Sequence, residues 1–438
     1  MDKKTITLPF DGSDLKLHLP ETWMVESIIT PKTYPALKDV KKGLLKELDS
    51  PIGTVALKNR KLQGKKIVIV TDDITRPTPL NRYFGSIIDY CISHGAKKKD
   101  ILILMALGVH RPMTKEEVEM KLGKKAITGI NWVNHDCHDV MQNVTLGTTK
   151  RGTPVALNRH LTEADLILCV GAIEPHLLLG FGGGLKMLLP GTASAETIAR
   201  NHMQGVSPEM FNYIGAIESP MRLDLEEAAM MLRKDIFIIN AVLNEKHEIC
   251  RFVCGDPVKA HRDGVQTVIE INSRGLDRQA DVAIVVSNPM NADLRQGMKC
   301  VGNIEKSVKE NGLILAFLGC EHGLGDISLP PKPMSNKKLR FILRLLGKKR
   351  ILWFLDKVKK GSGIEERFMA HFSMQVVRKN QLFMFSHNLP HDTGEKLGIF
   401  RQFRDIDEMM AAAREFAPKN STVYVYPYGG VTYPVMNN

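Results

Sequence analysis

"KIVIVTDDITRPTP", residues 66–79, sets a short run of Ile and Val directly against two aspartates, an arginine and two prolines. A run so short and so continuously apolar predicts a strand covered on both faces. The pattern recurs as "ILILMAL" from Ile101, "LILCVG" from Leu166, "IFIINAVL" from Ile236, "DVAIVVSN" from Asp281 and "LILAFLG" from Leu313. Helical stretches such as "LNRYFGSIIDYCISHGA" from Leu80 lie between some of them. This alternation predicts an α/β protein with largely parallel sheets, the first of them Rossmann-like.

At 438 residues the chain exceeds what one ordinary core holds, so two α/β domains are expected. The polar stretch "NSRGLDRQAD" precedes a fresh strand run and sets the expected division, residues 1–273 and 274–438, with the active site in the cleft between them. The strand-like "STVYVYP" from Ser421 fits either domain.

Hydrophobic residues at 43% and charged residues at 25% are globular values, and the longest apolar runs are too short to span a membrane. The opening "MDKKTITLPFDGSDLKLHLP" alternates like a strand pair and lacks the apolar core of a secretory signal, so a cytoplasmic location is expected. Seven scattered cysteines fit reduced thiols better than a disulfide framework, and "CRFVC" is one residue too long for a redox CxxC pair. "HDCH", residues 135–138, has no second ligand cluster nearby and reads as a solvated loop rather than a metal site.

The net charge of +12 is concentrated. Between Lys332 and Lys360 eleven Lys and Arg face one acid, Asp356, a local excess of +10. The spacing of Leu, Ile, Trp and Phe there predicts a basic amphipathic helix pair broken at Gly347, either packed on the body or touching a membrane surface or acidic ligand. With the charge confined to one segment and no recognised nucleic-acid module, a nucleic-acid-binding role is not expected.

Ligands of parallel sheets sit beyond the carboxyl ends of the strands. "TDDITRPTP", "VHRPMT" and "AIEPH" follow three of the predicted strands, so Asp73, Arg76, His110, Glu174 and His176 are expected to converge on one rim. Beyond the last of these comes "GFGGGLK". Leu185 and Met187 flank Lys186, which is incompatible with a Walker loop, and no GxGxxG marks a first βα turn. Gly182, Gly183 and Gly184 leave a backbone able to approach something flat or phosphorylated, with Lys186 as its ionic partner or its covalent anchor. "PGTASAETIARNH" then predicts a helix starting near Thr192 or Ser194, with His202 about two turns in. After the "DVAIVVSN" strand, "NADLRQGMKC" adds Arg295, Gln296 and Lys299, and "GCEHGLGD" adds His322.

The ordered set "DDITRPTP", "ALGVHRPMT", "GAIEPHLLLGFGGGLK", "GTASAETIARNH" and "LRQGMK" resembles the nickel-pincer lactate racemase family over most of the chain. That resemblance implies an isomerase, a racemase or epimerase of a 2-hydroxy acid. It implies a cofactor too: a nickel-pincer nucleotide, in which a pyridinium mononucleotide carries two sulfurs and nickel and is joined through a thioamide to Lys186. His202 would then be the protein ligand of nickel, His110 and His176 the paired acid/base residues, Asp73 with Gly182, Gly183 and Gly184 cofactor-binding, and Arg76 substrate-binding. Gln296 and Lys299 match the family's substrate-binding glutamine and lysine. Expected partners are the small hydroxy acid and the proteins that build the cofactor. Where lactate racemases of the family carry tyrosine before the glutamine, this chain has Arg295, so a larger or more acidic 2-hydroxy acid, such as a malate-like one, is expected as substrate.

The chemistry is coherent. Removing the Cα proton of a 2-hydroxy acid would put a second negative charge beside its carboxylate, whereas hydride removal leaves a planar 2-keto acid that accepts hydride on either face. Two bases, one per enantiomer, suit histidine. Soft sulfur donors with one imidazole suit square-planar nickel. The competing readings are a net oxidoreductase or lyase on the same scaffold, and a nucleotide or nickel carrier, which has no use for two acid/base groups.

Overall fold

The structure is a computed structural model that describes residues 4–206, 212–325, 327–357 and 372–437. The chain forms two compact units. One comprises Lys32–Gly205 and Ala216–Ile271; the other comprises Met1–Pro31, Val206–Gly215 and Asn272–Asn438. The division is therefore not a single cut after residue 273, since the first thirty-one residues cluster with the carboxyl-terminal half.

The first unit is built on a six-stranded sheet in the order Ile249–Gly255, Asp235–Leu243, Leu166–Ile173, Ile67–Asp72, Ile101–Ala106 and Asn131–Asn134. All pairings are parallel except the edge strand Ile249–Gly255. Every residue of the central Ile67–Asp72 strand is buried, as its unbroken Ile and Val run requires. On one face Ile67 and Ile69 join Phe84, Ile87, Ile103, Leu168 and Phe252 in a core completed by Leu44 and Leu48 of the Val40–Asp49 helix. The Phe84–Ser93 helix lies within the stretch predicted from Leu80 and stops where Gly95 takes a φ of 102°.

The second unit carries a six-stranded, wholly parallel sheet: Arg401–Phe403, Gln381–Phe385, Val308–Phe317, Ala280–Val286, Thr422–Tyr426 and Met24–Ile28. The "STVYVYP" strand thus belongs here, seated between Ala280–Val286 and the amino-terminal Met24–Ile28. Before it, Thr5–Phe10 and Ser13–His18 form a hairpin turned by Asp11 and Gly12, both at positive φ (48° and 73°) as a type I′ turn demands. Phe10 of that hairpin packs with Phe317 and Phe385 in this unit's core.

The basic segment forms a helix over Asn336–Lys357 with a non-helical break at Gly347 (φ 67°), matching the predicted interruption; its last stretch, 358–360, lies outside the described residues. Among the described residues no helix is long and apolar enough to cross a membrane.

Candidate functional site

The loop leaving the Ile67–Asp72 strand is held rigid by its own acids. Asp73 Oδ1 accepts the Thr75 N–H (2.7 Å), and the Arg76 N–H donates to the Asp73 carbonyl (3.2 Å). Asp72, 4% exposed, accepts the Thr78 hydroxyl at 2.6 Å and pairs with Lys121 Nζ at 3.2 Å. Lys121, itself buried, also donates to the carbonyls of Arg76 (2.6 Å) and Thr78 (3.1 Å). Burial pushes the Asp72 carboxyl pKa up, and the Lys121 ammonium acts against it.

Asp73 then faces His110, which follows the neighbouring strand Ile101–Ala106: Oδ2 lies 2.7 Å from His110 Nδ1. Burial alone would raise the Asp73 pKa, but the hydrogen bond to His110 and the Arg76 charge outweigh it and hold the carboxyl well below the usual range. An ionised Asp73 makes Nδ1 the donor, so the neutral tautomer of this ring carries its lone pair on Nε2. Arg76 NH1 stands 3.8 Å from Glu174 Oε1. The structure therefore links Asp73, Arg76, His110 and Glu174, four of the five residues expected on one rim.

His176 sits on a two-residue strand paired with Gly180–Phe181, opposite Gly180. Its Nδ1 accepts the N–H groups of Leu178 and Leu179, each at 3.2 Å. Two amide donors on Nδ1 place the proton of a neutral ring on Nε2, the reverse of His110.

The glycine loop is packed rather than open. Gly182, Gly183 and Gly184 are all buried. A Cβ on Gly183 (φ 73°) would lie 2.7 Å from the Ala172 carbonyl oxygen, and one on Gly184 3.0 Å from His261. The Gly182 N–H goes to the Glu174 carbonyl (2.7 Å) and the Gly184 N–H to Asn240 Oδ1 (2.8 Å), so these two donors are already engaged. His261 Nε2 donates to the Gly182 carbonyl at 2.7 Å, and the buried Arg222 donates to that of Phe181. Burial pushes the Arg222 pKa down to about 10, against the pull of Glu226. Glycine is needed here because the loop presses on the strand end and His261, and the fixed loop starts a turn, Gly184–Met187, that carries Lys186.

Ser194 caps the Ala195–Gln204 helix by accepting the Thr197 N–H, close to the predicted start. His202, in its last turn, donates Nδ1–H to the Ile198 carbonyl at 2.8 Å. Desolvation lowers the His202 pKa to about 4 against the pull of that hydrogen bond, and the Lys186 charge lowers it further. The ring is therefore neutral at physiological pH with its lone pair on Nε2, the state a metal ligand needs.

In the second unit, Arg295 and Gln296 lie on a single helical turn, Leu294–Gly297, just beyond the Ala280–Val286 strand, and Lys299 opens the Lys299–Ile304 helix. Asp293 caps the first turn by accepting the Gln296 N–H at 2.8 Å. Gln296 is buried, while Arg295 and Lys299 are partly exposed. His322 is exposed on the turn after Val308–Phe317, where its N–H donates to the Ala292 carbonyl (2.7 Å).

The reading of "HDCH" as a solvated loop is corrected: His135 is 2% exposed, donates Nε2–H to the Ala193 carbonyl (2.9 Å) and accepts Asn158 at Nδ1 (3.0 Å), and Cys137 is buried with it. Sequence reasoning missed Lys121, Asn240, Arg222 and His261. Asn240 alone left a signal, as a polar residue inside the apolar "IFIINAVL" run.

The family model for the lactate racemase N-terminal domain matches residues 10–211. Lactate racemase of Thermoanaerobacterium thermosaccharolyticum is 31% identical over 73% of this chain and 75% of its own length. Lactate racemase of Lactiplantibacillus plantarum is 32% identical over 74% of each. The lactate racemase apoprotein structure from T. thermosaccharolyticum superposes with a TM-score of 0.81 at 25% identity, covering 99% of this chain and 100% of that one. A crystal structure of a Thermotoga maritima protein shares the fold (TM-score 0.67, 20% identity, 92% and 100% coverage). On this likeness, in sequence and in fold, the chain belongs to the lactate racemase family.

Proposed function

We propose that this chain racemises or epimerises a 2-hydroxy acid, using a nickel-pincer nucleotide joined to Lys186, with His110 and His176 handling the hydroxyl proton. Membership of the family makes it an isomerase. The observation that supports the finer reading is the Asp73–His110 contact, which orients the His110 ring through Nδ1 and leaves Nε2 for chemistry.

The residues fit the implied cofactor. His202 offers one neutral imidazole with a free lone pair, and the Lys186 amine is close enough to depress its pKa. Lys186 would anchor the group, His202 would ligate its nickel, and Gly182–Gly184 with Asp73 would border it. Bound there, the group supplies a hydride acceptor for the Cα hydrogen.

The chain's own residues do the rest. His110 Nε2 takes the hydroxyl proton of one enantiomer, and the ionised Asp73 steadies the imidazolium that results. His176 serves the other hand. As posed it offers Nε2–H; acting as a base requires the second tautomer, with Nδ1–H released from the amides of Leu178 and Leu179. Arg76 binds the carboxylate while the planar keto acid turns, and Gln296 and Lys299 match the family's substrate-binding residues. Arg295 favours a substrate with a second anionic group, such as a malate-like dicarboxylate. Cofactor-maturation proteins are the implied partners.

The test joins a racemisation assay on protein from its native host with peptide mass spectrometry and metal analysis. A nucleotide-sized adduct on the Lys186 peptide with near-stoichiometric nickel is expected. Active enzyme free of both would overturn the proposal.

A further inference from the structure

The Asn336–Lys357 helix carries a ridge the proposed chemistry does not use. Phe341, Ile342, Leu345 and Leu346 are 66%, 47%, 67% and 41% exposed, although their i, i+3 and i+4 spacing puts them on one face. The opposite face seats the helix on its own unit. Leu343 is 5% exposed, Arg344 donates to the Arg378 carbonyl (3.1 Å) and Asn311 Oδ1 (2.6 Å), and Asn336 donates to the Gly398 carbonyl (2.8 Å). Beyond the Gly347 break, Trp353 is 60% exposed. Lys337 and Lys338, both exposed, stand four residues before Phe341 and Ile342.

We propose that this ridge docks the protein peripherally on an anionic membrane surface. Four large apolar side chains left in water on one helical face call for an apolar environment. Charge decides which. The segment from Lys332 to Lys360 has a net charge of +10, so a second copy meeting it about a two-fold axis would bring the same lysines face to face. A leaflet of acidic lipids supplies both what the apolar stripe and what the lysines require: an acyl boundary for Phe341 and Leu345, and phosphate or carboxylate headgroups for Lys337 and Lys338. The long lysine side chains reach the headgroup level while their stems line the buried stripe. Because Asn336–Lys357 is too polar to span, the contact is interfacial and reversible.

Co-sedimentation of the full-length protein with vesicles tests this without reference to turnover. Phosphatidylcholine vesicles should bind weakly, and replacing about a third of the lipid by phosphatidylserine should raise the bound fraction by roughly tenfold. That gain should vanish at about 0.5 M salt. Phe341→Ser with Leu345→Ser should abolish binding to both compositions, and Lys337→Glu with Lys338→Glu should remove only the anionic gain. All four substitutions lie on the exposed face, so circular dichroism and racemisation in free solution should be unchanged. Failure to bind phosphatidylserine vesicles, or equal binding by the parent and both double variants, would overturn the proposal. Concentration-dependent dimerisation in gel filtration, lost with Phe341→Ser and Leu345→Ser, would overturn it in favour of a second copy.

Discussion

Asp73 Oδ2 and His110 Nδ1 lie 2.7 Å apart, a hydrogen bond to an ionised carboxylate that joins the carboxyl ends of two adjacent parallel strands. The pair fixes which ring nitrogen is available for chemistry. Asp73→Asn keeps the shape but loses the charge that holds the tautomer, so kcat for racemisation should fall by about 10²–10⁴-fold with little change in KM. Polarimetric rates for the loaded enzyme check this; a loss confined to KM would contradict the assignment.

His202 makes the unloaded protein sensitive to acid. Its folded pKa of about 4 lies below the unfolded value of 6.5, so the unfolded chain takes up the proton first as pH falls. The stabilisation is complete above about pH 6.5 and is lost progressively towards pH 4, on the order of 3 kcal/mol in all. Melting temperature followed from pH 7 to pH 4.5 should drop less in His202→Asn than in the parent, and the variant should bind no nickel.

The Lys121–Asp72 pair should be costly to break singly. Lys121→Met leaves a buried carboxylate and two carbonyls without their donor, a loss of about 3–5 kcal/mol. The double variant with Asp72→Asn should recover part of it in a denaturation cycle. Additive losses would show that the pair does not organise the loop.

Gly183→Ala tests the packed loop. At φ 73° with the Ala172 oxygen 2.7 Å from the added carbon, the loop must shift, costing roughly 1–3 kcal/mol. Because Lys186 lies three residues on, cofactor attachment measured by intact mass should fall too. Wild-type loading at lower stability would separate the fold from the site.

Arg295→Tyr should move activity away from dicarboxylic hydroxy acids and towards lactate. Ratios of kcat/KM for the two substrates measure the shift. A parent enzyme that turns over lactate well and ignores dicarboxylates would remove the basis for it.

The sheet and the rim were legible because each apolar run ends in polar residues, so adjacent parallel strands bring Asp73 and His110 to the same edge. The break at Gly347 was legible for a similar reason, since glycine interrupts an otherwise continuous helical pattern. What lay behind the rim was not. Lys121 sits in "KEEVEMKL", which reads as a solvated helix; it is buried only because the Arg76 and Thr78 carbonyls converge on it. "HDCH" looked wet for the same reason, as nothing local announces the Ala193 carbonyl waiting for His135. The glycines were legible as glycines, but their close packing against the Ala172 carbonyl and His261 was not.

The pairing of Met24 with Thr422 sets a timetable for synthesis. The Met24–Ile28 strand must wait for a neighbour made roughly four hundred residues later, several tens of seconds at roughly 5–20 residues per second. The unit that closes at Ile271 can fold during that interval, whereas the other stays incomplete, with an unpaired edge exposed to aggregation and to holdase chaperones, until Thr422–Tyr426 has emerged.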